Sequence, residues 1–204
     1  MLRLLRIECS LHGANGQSTR LVRLFSDLLL AARPDTQITV RDLAGAPLPH
    51  LNGATFAAFA VPADQRSDAQ RALVATSDTL VQELRDADVL VLGLPMYNFG
   101  VPSSLKAYID HVMRAGVTFS YGATGPQGLL PNKRVFILGA RGGNYAGTAM
   151  DMQLPYVRQV LAFMGMVDLQ VVLAEGMARA NLRDASIAAA DAEVQALVKQ
   201  LVPS

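Results

Sequence analysis

The stretch VLVLGL at 89–94 runs directly into PMYNFGVPSSLKAYID at 95–110. Six residues without polar alternation are the pattern of a strand covered on both faces, as in a parallel sheet between helix layers. The residues that follow are odd for a turn: Met96, Tyr97, Asn98 and Phe99 stand where small polar residues are usual. An aromatic, partly polar mouth at the end of a buried strand suits a flat ligand with a polar rim.

Working outward, strand-like and helix-like segments alternate. Leu2 to Cys9 is a short apolar segment, and from Ser18 onward Leu21, Leu24, Phe25, Leu28 and Leu29 fall on one helical face. QITVRD (37–42) reads as a strand, and Pro47, Pro49, Asn52 and Gly53 mark a long connection. A helix is expected from about Asp68 to Leu84, then VLVLGL, then a helix with Leu105, Tyr108, Ile109 and Val112 on one face. Residues 117–130, with Gly122, Gly125, Pro126 and Gly128, read as a hairpin or an excursion. RVFILGA (134–140) is a strand, 154–164 a helix with Pro155 in its first turn, LQVVLAE (169–175) the last strand, and a helix follows from about Asp184 to Leu201. Five strands interleaved with five helices predict one domain over residues 1–204, an α/β fold with a doubly wound five-stranded parallel sheet and helices on both faces. Such sheets bind ligands beyond the carboxyl ends of their strands, at the topological switch point. The loops 10–18, 95–102 and 140–147 leave strand ends and form the predicted site.

Composition narrows the partners. A net charge of +1 from 18 basic and 17 acidic residues, with no long single-sign run, argues against nucleic acid and anionic membranes. No stretch approaches the ~18 apolar residues of a membrane span, and MLRLLRIEC is too broken by Arg6 and Glu8 for a secretory core. A cytoplasmic location is expected. Cys9 stands alone, and His12, His50 and His111 lack ligand spacing, so neither a disulfide nor a metal is expected. An apolar fraction of 51% is a little high, and a partner subunit could cover the surplus.

The first loop ends in GQST (16–19) ahead of a helix. Open amides and the helix dipole there suit a phosphate, with Ser10, Ser18 and Thr19 as hydroxyl donors and Gly16 permitting close approach. The competing reading makes Ser18 a helix cap. Gly-x-x-x-x-Gly-Lys-Ser/Thr, Gly-x-Gly-x-x-Gly after the first strand, and Gly-x-Ser-x-Gly are all absent, which leaves a mononucleotide-type phosphate site. In the second loop Met96, Tyr97 and Phe99 could line a planar heterocycle while Asn98 reaches its polar edge; alternatively Tyr97 and Phe99 are core residues closing the sheet end. In the third, ARGGNY (140–145), paired glycines would let backbone amides approach a ring that becomes negative on reduction, or would simply make a tight turn.

The order Ser10, GQS (16–18), PMYNF (95–99) and RGG (141–143) resembles the FMN-dependent NADH-azoreductase family, whose members are also quinone reductases. VRDL (40–43), LKAYID (105–110), RAGVTFSY (114–121), GPQGLL (125–130) and FMGMVD (163–168) extend the resemblance over nearly the whole chain. It implies a flavodoxin-like homodimer that binds FMN and takes electrons from NADH or NADPH in a ping-pong, two-electron cycle. The acceptors would be quinones and aromatic azo compounds. The alternatives are a flavodoxin-like electron carrier, or a flavin or chromate reductase of the same fold with little azo activity. The resemblance places the FMN phosphate on Ser10, Gly16, Gln17 and Ser18, and the ring along Met96, Tyr97, Asn98 and Phe99. Ala140, Arg141, Gly142 and Gly143 would approach the pyrimidine edge, with Ala140 standing where relatives often carry serine. Asn144 and Tyr145 would face the acceptor, and Tyr121 and Phe163 would reach over the partner's flavin, unless Phe163 is helix core. No catalytic acid or nucleophile is expected, because the flavin carries the chemistry.

Overall fold

Parallel strands can be joined only by crossovers, and each crossover here brings a helix. The computed structural model describes residues 1–123 and 125–202. Thr124 of the expected excursion, and Pro203 and Ser204 at the end of the expected domain, lie outside the described residues. The strands of the main sheet are β1 (Arg3–Glu8), β2 (Gln37–Asp42), β3 (Val89–Pro95), β6 (Arg134–Ala140) and β7 (Asp168–Ala174). They lie in the order β2-β1-β3-β6-β7, all parallel. The helices are α1 (Gln17–Ala32), α2 (Gly53–Phe59), α3 (Asp68–Asp86), α4 (Ser103–Val112), α5 (Gln153–Phe163) and α6 (Ala180–Lys199).

The two-residue side-chain period of each strand sends alternate residues into two cores. Leu4, Val89, Val91, Phe136 and Leu138 meet Leu21, Val22, Phe25 and Leu29 of α1 and Val194 and Val198 of α6. Leu5, Ile7, Leu90, Leu92, Leu94, Val135 and Ile137 meet the apolar faces of α3, α4 and α5 through Leu80, Leu84, Leu105, Tyr108, Val157 and Leu161. All seven residues of β3 are buried, as an unalternating run demands.

One feature departs from the sequence reading, and another decides between its alternatives. The long connection contains α2, seated on Asn52, whose side chain accepts a hydrogen bond from Thr55 N at 2.9 Å. Residues 117–130 form the hairpin of the two readings: β4 (Phe119–Gly122) and β5 (Gly125–Gly128) pair antiparallel apart from the main sheet. A Cβ on Gly128 would stand 2.1 Å from the backbone nitrogen of Gly165, so the hairpin is pressed backbone to backbone against the chain leaving α5. Among the described residues, no helix is long and apolar enough to cross a membrane and no acidic, His or Cys cluster could hold a metal.

Phe136 is fully buried at the sheet centre, 4.8 Å from the Phe25 ring. Phe136→Ala is expected to cost about 3–5 kcal/mol in urea-denaturation stability. Cys9 is buried with Sγ donating to Gly93 O at 3.0 Å. Burial, with the Asp42 carboxylate adding to it, pushes its thiol far above the ordinary range. The folded protein should therefore resist iodoacetamide at pH 8 and be labelled at Cys9 only once unfolded, which peptide mass mapping reads directly.

Candidate active site

β1 and β3 are neighbours, yet the helices that follow them, α1 and α4, pack into opposite cores. The crevice between their carboxyl ends is the switch point of the sheet. Gly16, with φ −71° and ψ 134°, is the cap residue of α1 and offers no side chain to the helix. Its backbone is unremarkable, and the need for glycine is steric: an added Cβ would stand 2.2 Å from Ser10 Oγ. Ser18 is two residues into the helix, so the capping reading of this residue fails. Its hydroxyl belongs to a side chain 1% exposed and has no hydrogen-bond partner.

The second loop is a tight backbone turn. Tyr97 and Gly100 exchange hydrogen bonds, Tyr97 N to Gly100 O at 3.2 Å and Gly100 N to Tyr97 O at 2.9 Å. Between them Asn98 and Phe99 have φ of 49° and 63°, the paired left-handed residues of a type I′ turn. Left-handed backbone in residues other than glycine costs about 1–3 kcal/mol each and persists where surroundings enforce it. Gln153 enforces it from α5, donating through Nε2 to Pro95 O at 2.7 Å and Gly100 O at 3.0 Å. The Tyr97 hydroxyl crosses to the first loop, accepting from Leu11 N at 3.0 Å and lying 3.4 Å from Ser10 Oγ. Tyr97 is thus a strap between two loops rather than a core plug. Phe99, 46% exposed, meets Tyr145 edge-on at 5.8 Å.

The third loop turns on Arg141, whose side chain is fully buried. Its guanidinium forms a fork with Asp151 at 2.9 and 3.0 Å and touches Glu175 at 3.3 Å. Glu175 also accepts from Tyr145 N and Ala146 N at 2.8 and 3.0 Å, and Asp151 accepts from Leu154 N at 3.1 Å. Both terminal nitrogens of Arg141 are therefore committed to carboxylates, while its buried Nε has no partner. A Cβ on Gly143 would meet the far end of the Tyr145 ring at 2.7 Å, so a larger residue there would displace that side chain.

These loops enclose a cavity of about 190 Å³ lined by Ser10, His12, Gln17, Ser18, Pro95, Met96, Tyr97, Ala140, Arg141, Gly142 and Met177. Met96 and Gly142 are shared with an adjoining cavity of about 270 Å³ that Asn98, Phe99 and Tyr145 complete. Joined, they reach the ~300–1,000 Å³ usual for ligand sites. A larger hollow of about 390 Å³ lies at the opposite end of the strands, lined by Arg3, Gln37, Glu83 and Asp86 among others, away from the switch point. Asn144 lines neither cavity of the crevice; its Oδ1 lies against Gly176. Tyr121 and Phe163 also stand apart, edge-on to Phe119 at 5.6 and 4.8 Å.

The family described as having a flavodoxin-like fold matches residues 2–198 of this sequence. The chain belongs to that family. It is 47% identical over 196 residues to an FMN-dependent NADH:quinone oxidoreductase of Alcanivorax borkumensis, covering 96% of this chain and 99% of that one. A protein of the same name from Azotobacter vinelandii is 50% identical over 177 residues, 87% of this chain and 89% of that one. Among solved structures, an azoreductase from Bacillus anthracis superposes with a TM-score of 0.90 at 26% identity, covering 98% of this chain and all of that one.

In this flavodoxin-like chain Ser10, Gln17, Ser18, Met96, Tyr97, Asn98, Phe99, Ala140, Arg141, Gly142 and Tyr145 of the expected site line the two cavities, whereas Gly16 and Gly143 do not. The sequence reading missed His12 and Met177 of the lining, and Asp151, Gln153 and Glu175, which hold the loops. The local signals were slight, a glutamate closing the last strand and a glutamine ahead of Leu-Pro. Breaking a buried ion pair on one side leaves an uncompensated charge. Asp151→Asn should thus lower stability by about 3–5 kcal/mol, whereas Asp68→Asn, in an exposed pair with Arg71, should cost under about 1 kcal/mol in the same urea titration.

Proposed function

We propose that this chain is an FMN-dependent NAD(P)H:quinone oxidoreductase that also cleaves aromatic azo compounds, acting as a cytoplasmic homodimer through a ping-pong, two-electron cycle. The observation that carries this reading is the Ser18 hydroxyl, buried and without a partner in the first turn of α1. Buried hydroxyls are nearly always satisfied, and a phosphate at the helix N-terminus would satisfy this one while using the open amides beside it. Flavodoxin-like sheets hold FMN at this β1/β3 switch point. The names of the relatives from Alcanivorax and Azotobacter support FMN, NADH and quinone, and that of the Bacillus structure supports azo reduction.

Ser10, Gly16, Gln17 and Ser18 would hold the phosphate; Met96, Tyr97, Asn98 and Phe99 would lie along the ring, and the backbone from Ala140 to Gly143 along its pyrimidine edge. When bound, FMN supplies reversible two-electron transfer between the nicotinamide donor and the acceptor. The residues themselves position and exclude. The left-handed turn at Asn98 and Phe99 is rigid, and the Phe99–Tyr145 edge contact narrows the mouth, so donor and acceptor would use the same opening by turns. A +1 net charge gives little of the acidic docking surface that an electron carrier needs.

The homodimer rests on a separate set of residues. Tyr121, 74% exposed, Phe163 at the end of α5, and the exposed Val167 leave apolar surface around the hairpin. A two-fold axis there would carry Tyr121 and Phe163 toward the partner's cleft.

Anaerobic stopped-flow on FMN-loaded protein tests the reading. NADH or NADPH should bleach the flavin, and a quinone and an azo dye should each restore it in a second, separable phase. No bleaching by either nucleotide would end the proposal. Tyr145→Ala should slow the acceptor phase several-fold, and Asn144→Ala should leave it unchanged. Sedimentation should give a dimer that Tyr121→Asp weakens; a monomeric wild type would remove the shared site.

A further inference from the structure

Arg20 is placed where a cation is electrostatically awkward, in the first turn of α1, with its amide bonded to Gly16 O at 2.9 Å. Its side chain is nevertheless fully engaged. Nη1 and Nη2 donate to the Asp191 carboxylate of α6 at 3.0 and 2.7 Å, and Nε donates to Gln17 Oε1 at 3.0 Å. A guanidinium only donates, so it fixes which end of the Gln17 amide faces it. The oxygen is taken by Arg20, and the NH₂ end is left for the cavity that Gln17 lines.

Charge in the same place is notable. Arg141 is the cavity's one Arg or Lys among the described lining residues; its two terminal nitrogens are held by Asp151 and Glu175, while its buried Nε has no partner. Arg20 is spent on Asp191. Beside Ser18 itself the nearest donors are hydroxyls, helix amides and the Gln17 amide, and the His12 side chain lines the same cavity.

We propose that Arg20 and Asp191 are positioning residues that aim the Gln17 amide at the FMN phosphate, so that the phosphate is gripped by neutral donors instead of a free cation. The proposal rests on the flavin reading above. Arg20 touches no ligand and acts through Gln17, while Asp191 both holds the guanidinium flat and cancels its charge. Arginine suits the task because its planar fork serves a carboxylate with two nitrogens and an amide with the third. Lysine has no such fork.

Two measurements on the full-length protein freed of flavin test this, by fluorescence quenching with FMN and with riboflavin, which lacks the phosphate. Both are made at pH 8. Arg20→Ala should weaken FMN about tenfold, the worth of a hydrogen bond to a charged group, while riboflavin moves less than about twofold. On a Gln17→Ala background the same change should add less than about twofold, since the residues act as one unit. Equal losses for both flavins, or additive losses in the cycle, would overturn the bracket. Wild-type protein that binds FMN no better than riboflavin would overturn the flavin reading as well, and so is told apart. The second measurement is Asp191→Asn, which uncovers the Arg20 charge. Between about 50 and 500 mM salt its FMN affinity should fall several-fold while that of the wild type stays within about twofold. Parallel salt curves would show that Asp191 does not screen Arg20 and would overturn the proposal.

Discussion

Everything at the carboxyl end of this sheet follows from one topological constraint. β1 and β3 lie side by side, and the helices after them must pack on opposite faces. The chain leaving β1 turns toward the core of Leu21, Phe25 and Val194, while the chain leaving β3 turns toward that of Leu105, Tyr108 and Leu161. No loop can cover the seam between two chains that depart in opposite directions. The seam therefore stays open, and it is bordered by the amides of α1 on one side and the turn at Asn98 on the other. Moving β3 to another position in the sheet order would close the seam and remove the site without altering a single lining residue.

The seam carries local costs that the core offsets. Two consecutive left-handed residues, Asn98 and Phe99, are strained, and the Ser18 hydroxyl is buried without a partner. A buried unsatisfied polar group costs about 1–3 kcal/mol, comparable to the strain of one such backbone position. Against these stand β3, buried along its whole length, and hydrogen bonds that span long distances in sequence. Gln153 reaches back to Pro95 and Gly100, Tyr97 reaches back to Leu11, and Arg141 reaches forward to Asp151 and Glu175. A ligand that satisfied Ser18 would bind the folded chain alone and would return part of the lost stability.

What the sequence made legible and what it hid divide along the range of the interactions. VLVLGL announced a two-sided strand because burial on both faces leaves a purely local trace. The loops of the site followed from topology once the alternation was recognised. α2 was hidden because it is short, rich in alanine and largely exposed, with only Asn52 marking its start. Gly16 was read as letting a ligand approach the backbone, and the space its missing Cβ leaves is taken by the Ser10 hydroxyl. Arg141 was read as facing a ligand because its neighbours Gly142 and Gly143 invite that view. Its partners lie 10 and 34 residues further on, and nothing local identifies a carboxylate that will meet it in space. Tyr97 was read as lining a flat ring or as closing the sheet end, and neither reading foresaw its hydroxyl crossing to Leu11.

The crevice has two mechanical halves, and their difference bears on the proposal that one opening serves donor and acceptor in turn. Around Ser10 and Ser18 the walls are buried and cross-tied: Tyr97 straps the first two loops together, Gly16 is wedged against Ser10, and the helix start is fixed by its own ladder. Around Asn98, Phe99, Gly142 and Tyr145 the side chains are exposed or half-exposed, and the contact between loops is one edge-on pair of rings. A ligand with its charged tail in the first half would be held by groups that cannot move aside, at little further cost in order, because those groups are already fixed. A molecule entering the second half meets the exposed Phe99 and half-exposed Tyr145 side chains, which can swing aside while the turn beneath them stays fixed, so it can leave as readily as it came. A resident cofactor that serves two visiting substrates in turn needs this asymmetry, with a firm hold on the tail and a loose one over the ring. A uniformly rigid cleft would trap the first visitor, and a uniformly soft one would lose the cofactor with it.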